Sequence, residues 1–191
     1  MDSFSVINNV QYWYRSKVFN SFMENEIDYE RLTEKEEAEE GVDEKVAILA
    51  DWILHAQNCV FWTGAGISRS SGIPDYRGPD GLWTRYKQQQ ELPQPVDLLS
   101  VTPSFSHLAI TKLIRGGYAN FVVTVNVDGL HRKAGLKFPS ELVNLHGCVF
   151  TERCTSCRIE LERDYVVRKM KDIHDHRVGD CANCGSKPKQ A

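Results

Sequence analysis

The sequence predicts an α/β fold built on a parallel sheet, with a small metal-binding module attached. Three observations carry that expectation. Short apolar runs at 59–63, 121–125 and 142–145 stop at Gly64, Asn126 and His146, as strands buried on both faces do. Helical patterns fall between them, the succession expected of parallel βαβ units. Four of the six cysteines form two Cys-x-x-Cys pairs, Cys154/Cys157 and Cys181/Cys184.

Composition supports a folded chain. With 191 residues, 41% apolar and 26% charged, it has the make-up of one globular domain with a modest insert. That excludes a disordered, collagen-like or disulfide-stapled chain. No run of 18 apolar residues offers a membrane span. Asp2, Asn8, Asn9 and Arg15 interrupt the N-terminus, which lacks the apolar block of a secretory signal. Residues 1–45 hold 12 acidic and 5 basic side chains, and residues 46–191 hold 14 acidic and 18 basic. The acidic head reads as a solvated tail before it reads as a contact for basic, histone-like surfaces. The body is not basic enough to predict direct nucleic-acid binding.

The elements follow in order. The Glu-rich stretch Glu34–Glu40 reads as a solvated helix or linker. Asp43 is placed to cap a helix over Glu44–Gln57, where Val46, Leu49, Ala50 and Ile53 share one face. Cys59–Thr63 is the first strand. From Ser68 to Pro95, seven Gly and Pro residues at 72, 74, 78, 79, 81, 93 and 95 predict a long loop with short helical turns. Loops of this length in compact domains usually serve function. Thr102 is placed as a cap with Pro103 at the first helical position, and the helix closes at Gly116-Gly117. Phe121–Val125 is the second strand, Asn126–Gly135 a turn and short helix, and Leu142–Leu145 the third strand. From Cys148 onward charged residues dominate.

Five segments carry chemistry. Thr63-Gly64-Ala65-Gly66-Ile67-Ser68 follows a strand. Glycines there let a backbone approach a phosphate closely. Arg69 stands where a dinucleotide fingerprint places its third glycine, so alone the segment equally fits a plain tight turn. In Ser71–Gly78, Asp75, Tyr76 and Arg77 put a carboxylate, an aromatic ring and a guanidinium in a Gly/Pro loop. That suits a ligand lid, or a turn with surface charges. Asn126 and Asp128 sit at the carboxyl end of the second strand, where open α/β sheets bind ligands. Asp128 also suits a helix cap, and His131 reads as a packing residue or one with a local hydrogen bond. His146, just past the third strand, is placed for general base catalysis or a structural role. The cysteine pairs, 23 residues apart, suit a closed tetrahedral zinc site. A redox dithiol is the alternative. His174 and His176 between the pairs read as surface residues.

Together GAGIS, SGIPDYRG, NVDGLH, LHG and paired Cys-x-x-Cys, in this order from about Glu44 to Cys184, resemble the sirtuin family of NAD-dependent protein deacylases. Gly78-Pro79-Asp80-Gly81-Leu82-Trp83-Thr84 and Cys154-Thr155-Ser156-Cys157 look most like its class IV, largely nuclear members. The resemblance implies a Rossmann-like parallel sheet over 44–147, a zinc module over 148–191 and an acidic extension over 1–43. It implies NAD as co-substrate, one structural Zn²⁺, and an acylated lysine of a protein, a histone among the candidates, as partner. Gly64, Ala65 and Gly66 would face the NAD phosphates. Asp75, Tyr76 and Arg77 would form the cofactor loop, and Asn126 and Asp128 would line the nicotinamide pocket. His146 would be the catalytic base, taking a proton from a ribose hydroxyl. Cys154, Cys157, Cys181 and Cys184 would hold zinc. Products would be free lysine, nicotinamide and O-acyl-ADP-ribose. A mono-ADP-ribosyltransferase and an inactive zinc-bearing interaction module are the alternatives.

Two departures from the family pattern shape the expectation. Val125 stands where the family usually carries Gln, removing an amide near the nicotinamide ribose. In the family the chain returns from the zinc module to complete the sheet; here it stops seven residues after Cys184. A sheet without those strands exposes an edge, and the first helix and strand lose part of their packing.

Overall fold

The computed structural model describes residues 38–154, 156–167, 181 and 183–186. The acidic extension up to residue 37, and His174 and His176, lie outside the described residues. Among the described residues two compact units arise, one of residues 45–73 and those from 97 onward, the other of residues 38–44 and 74–96.

The larger unit holds the sheet. Strands β1 (Val60–Thr63), β2 (Phe121–Thr124) and β3 (Leu142–Asn144) lie in the order β1-β2-β3 among the described residues, all parallel. Val60 pairs with Phe121 and Thr63 with Thr124, while Val122 pairs with Leu142. This register brings the carboxyl ends of all three strands to one edge. Parallel strands need crossover connections, which is why a helix precedes β2 and a short one precedes β3. The core is small: Ile110, Val122, Leu136 and Leu142 are buried, with Phe61, Ile67 and Ile114 packed against them.

Helix α1 (Glu39–His55) starts five residues before the expected position, so Asp43 lies inside it and caps nothing. Glu39 and Glu40 extend its first turn, where the helix dipole favours acidic residues. The face drawn from Val46 and Leu49 is exposed, as are Trp52 and Leu54. Strand β1 is not a buried strand: Trp62 is 69% and Val60 52% exposed. It stands at the sheet's edge, and among the described residues no strand pairs with its outer side.

Helix α3 (Phe105–Arg115) corrects a second expectation. Its cap is Ser104, not Thr102, and Pro103 lies outside the helix. Ser104 Oγ accepts from the His107 amide at 3.4 Å, and His107 Nδ1 lies 3.2 Å from the Ser104 amide, the spacing of a capping box. A side-chain oxygen that satisfies an orphan amide outcompetes a start set by proline. Gly116 and Gly117 close the helix as expected, Gly117 at φ 75°. Helix α4 (Leu130–Lys133) follows Gly129 at φ 74°. The hairpin of β4 (Thr151–Arg153) and β5 (Glu160–Glu162) is antiparallel. It joins the sheet region through the Val149 amide, which donates to Val127 O at 2.9 Å.

In the smaller unit the 74–96 loop is ordered around Asp75. Its carboxylate accepts from the Gly78 amide at 3.0 Å, and its carbonyl accepts from Leu82 at 2.9 Å. A side chain at Gly78 or Gly81 would collide with Asp75, so both positions need glycine. Helix α2 (Leu82–Lys87) is the short helical turn expected in this loop.

Candidate functional site

The glycine turn follows β1 and winds into a 3₁₀ helix over Ala65–Ser71, closed by Gly72 at φ 86°. Three side chains from later elements hold it. Asn126 Nδ2 donates to Gly64 O at 2.9 Å and lies 3.3 Å from Ser68 Oγ. Ser68 Oγ donates to Asp128 Oδ2 at 2.7 Å. Ser104 Oγ donates to Ile67 O at 2.9 Å. Asn144 Nδ2 in turn donates to the carbonyl of Asn126 at 3.1 Å. The structure therefore brings the first and third motifs together at the carboxyl edge of the sheet.

Asp128 precedes Gly129, the N-cap of α4. Its Oδ1 accepts from the Leu130 amide at 2.9 Å, ordering the start of α4, while Oδ2 takes Ser68. Asn126 and Asp128 are both buried. Among the described residues the Asn126 amide oxygen takes no hydrogen bond. Gly66 has open space where a Cβ would stand and no left-handed φ. Neither packing nor backbone conformation accounts for glycine there, whereas close approach by an outside group would. At Gly64 the added Cβ would meet only Val125 Cγ2, at 3.8 Å.

Beneath the turn lie two buried histidines. His131 Nε2 sits 2.8 Å from Thr63 Oγ1, 68 residues away in sequence, so its hydrogen bond is not the local one expected. Its ring meets that of His107 edge to face, with centroids 4.7 Å apart. Burial pushes the His131 pKa down to about 4, and the charge of His107 pushes the same way. Burial also lowers His107, against the pull of the Asp128 carboxylate. Both imidazoles are therefore neutral at neutral pH. Ser104 and His107 are not singled out by the sequence, although Ser104-x-x-His107 has the spacing of a capping box; Thr63 and Ser68 stand in the first segment with no role of their own assigned. Only tertiary contacts reveal that they act on one turn.

His146 lies in the turn after β3, exposed, and makes no hydrogen bond among the described residues. Gly147 follows at φ 80°. Ala65 begins the 3₁₀ helix. Asp75, Tyr76 and Arg77 belong to the smaller unit, where the Tyr76 ring lies 5.5 Å from that of Trp83 and Arg77 O accepts from Thr84 Oγ1 at 3.3 Å.

The cysteine quartet is assembled. The Sγ atoms of Cys154, Cys157, Cys181 and Cys184 all lie within 4.8 Å of one another. Cys154 faces Cys184 and Cys157 faces Cys181, each pair at 3.8 Å. A tetrahedron with Zn–S bonds of about 2.3 Å has edges of about 3.8 Å, so the quartet fits one zinc. The separations are far beyond a disulfide bond. The Ser186 hydroxyl first, then the Cys157 and Ser156 amides, hold the Cys154 thiol down to about 5. Ser186 likewise lowers Cys184. Thiolates are the form that binds metal.

Comparison with known proteins agrees with these features. The family model described as the Sir2 family matches residues 64–102 and 92–190. The NAD-dependent protein deacetylase SRT1 of Arabidopsis thaliana is 41% identical over 147 residues, covering 76% of this chain and 31% of the relative. The NAD-dependent protein deacetylase sirtuin-7 of Homo sapiens is 38% identical over 145 residues, covering 74% and 36%. The chain thus spans about a third of the length of these curated relatives. A solved Sir2 homologue mutant in complex with ADP ribose superposes with a TM-score of 0.51 at 30% identity, over 73% of this chain and 59% of that one.

Proposed function

The chain belongs to the Sir2 family, and on that premise we propose that it is an NAD-dependent protein-lysine deacylase yielding nicotinamide and O-acyl-ADP-ribose. The observation that carries the proposal is the glycine turn at the carboxyl edge of the sheet, tied to Asn126 and Asp128. Gly64, Ala65 and Gly66 would receive the NAD phosphates, supported by the open space at Gly66. Asn126 would offer its amide oxygen to the nicotinamide, and Asp128 would keep the turn in place. Asp75, Tyr76 and Arg77 would complete the cofactor loop. Bound NAD would supply an electrophilic ribose carbon with nicotinamide as leaving group. His146 would accept a proton at an imidazole nitrogen as general base. The four cysteines would hold zinc as a brace for residues 148–191, leaving the chemistry to 44–147. A histone as source of the acyl-lysine, and nuclear residence, are proposed on the class resemblance.

The test is nicotinamide release from NAD by the zinc-loaded chain, with and without an acetylated histone peptide. Peptide-dependent release with O-acyl-ADP-ribose as product is expected. ADP-ribose attached to protein without deacylation would favour a mono-ADP-ribosyltransferase. A second reading, a zinc-bearing interaction module without chemistry of its own, is favoured by the exposed apolar side chains of α1 and β1. Folded, zinc-loaded protein that does not bind NAD would select it.

A further inference from the structure

Ser104 belongs to none of the segments that carry the proposed chemistry, yet it holds the middle of the glycine turn. Its hydroxyl donates to Ile67 O at 2.9 Å across 37 residues of chain. A helix cap has no need of that bond. The same oxygen lies 2.7 Å from His107 Nδ1, and His107 is fully buried. A hydroxyl has one hydrogen, so while it serves Ile67 the imidazole must donate from Nδ1 to Oγ. His107 Nε2 is buried with no hydrogen-bond partner, which suits a nitrogen that carries a lone pair and no proton. The shorter contact and the unpartnered Nε2 select this tautomer over the one in which Nδ1 accepts from the Ser104 amide at 3.2 Å.

We propose that Ser104 and His107 are positioning residues for the glycine turn, the buried imidazole orienting the Ser104 hydroxyl onto Ile67 so that the turn holds its nucleotide-binding shape. The proposal rests on the nucleotide reading of that turn. Ser104 fixes the turn's second half, as Asn126 fixes its first through Gly64 O. The three bonds, to Gly64 O, Ile67 O and Ser68 Oγ, come from two segments far apart in sequence. Removing the Ser104 bond would leave the Ile67 carbonyl without its side-chain donor and let the turn relax toward the open space at Gly66.

The test separates positioning from capping. Asp is as good a helix cap as Ser but has no hydrogen to give Ile67 O. Thr keeps the hydroxyl. Hydrogen exchange at the amides of Gly72 and Ile73, which bond to Arg69 O and Ser68 O within the turn, is measured in Ser104→Asp and Ser104→Thr beside the melting temperature. NAD affinity is measured in parallel by calorimetry. We expect Ser104→Asp to melt as the parent does, exchange these amides at least tenfold faster and bind NAD about tenfold more weakly, with Ser104→Thr restoring both. Exchange and affinity unchanged in Ser104→Asp would overturn the positioning role. Faster exchange in a chain whose parent binds no NAD would support positioning and overturn the nucleotide reading instead. His107→Asn, whose amide can donate to Ser104, is expected to fall between parent and Ser104→Asp; equality of His107→Ala with the parent in exchange would remove His107 from the proposal.

Discussion

His131 shows how burial sets a single residue's chemistry. Its folded-state pKa near 4 lies below the unperturbed value of about 6.5. Between those values the unfolded chain holds more protons than the folded one, so stability falls as pH is lowered through the window and is fully present above it. The contribution is on the order of 3 kcal/mol. Urea midpoints at pH 7 and 4.5 check it: His131→Gln should be less stable at pH 7 yet lose less on acidification, and equal slopes would refute the account. At the exposed His146, His146→Ala should leave melting unchanged and slow O-acyl-ADP-ribose formation by roughly a hundredfold or more. An unchanged rate would remove its role as base. The two histidines differ in how they could be read from sequence. His131 closes the NVDGLH motif, where a local bond is the natural expectation, but its partner Thr63 is 68 residues away on β1.

Elements are held by a few positions where geometry admits one residue type. Gly129 combines φ 74° with a Cβ position 2.6 Å from the Phe150 ring. Gly129→Ala should cost roughly 2–4 kcal/mol, the sum of backbone strain and overpacking. Gly72→Ala, at φ 86° in open space, should cost only about 1–2 kcal/mol. Equal losses in chemical denaturation would mean that the Phe150 contact is unimportant. The cysteine quartet is the other constrained element. Cys181→Ser, which removes the buried sulfur facing Cys157, should abolish stoichiometric zinc in a metal assay and expose the β4–β5 hairpin to proteolysis. Boundaries were less legible than these positions. The Thr102-Pro103 pair has the pattern of a helix start, but the Ser104 hydroxyl takes the His107 amide, and that bond decides where α3 begins.

At the scale of the molecule, apolar surface outruns what the described elements can cover. Trp52 and Trp62 are 68% and 69% exposed, and Val60 and Leu54 are also exposed. Exposed apolar groups that gain nothing from packing can be replaced at little cost, within about 0.5 kcal/mol. The Trp52→Glu, Trp62→Lys double variant should therefore keep the parent's melting temperature while binding less of a hydrophobic dye and remaining monomeric at higher concentration. A large drop in melting temperature would show that these side chains are covered in solution. The periodicity of Val46, Leu49, Ala50 and Ile53 marked a helix correctly but not what that face meets, because amphipathic pattern records a demand for burial and not its fulfilment.

Local rules written in the residues determined the kind of elements, their order, the placing of glycine turns at strand ends and the metal-ligand chemistry of four cysteines. Alternation of apolar runs with turn residues is enough for the first three, and thiolate spacing for the last. Tertiary structure alone decided that Asn126, Asp128 and Ser104 converge on Gly64–Ser71, that β1 stands at an edge, and that the four Sγ atoms reach tetrahedral separations. The reason is physical: a hydrogen bond spanning 37 to 62 residues depends on the packing of whole strands and helices, and no local propensity encodes it.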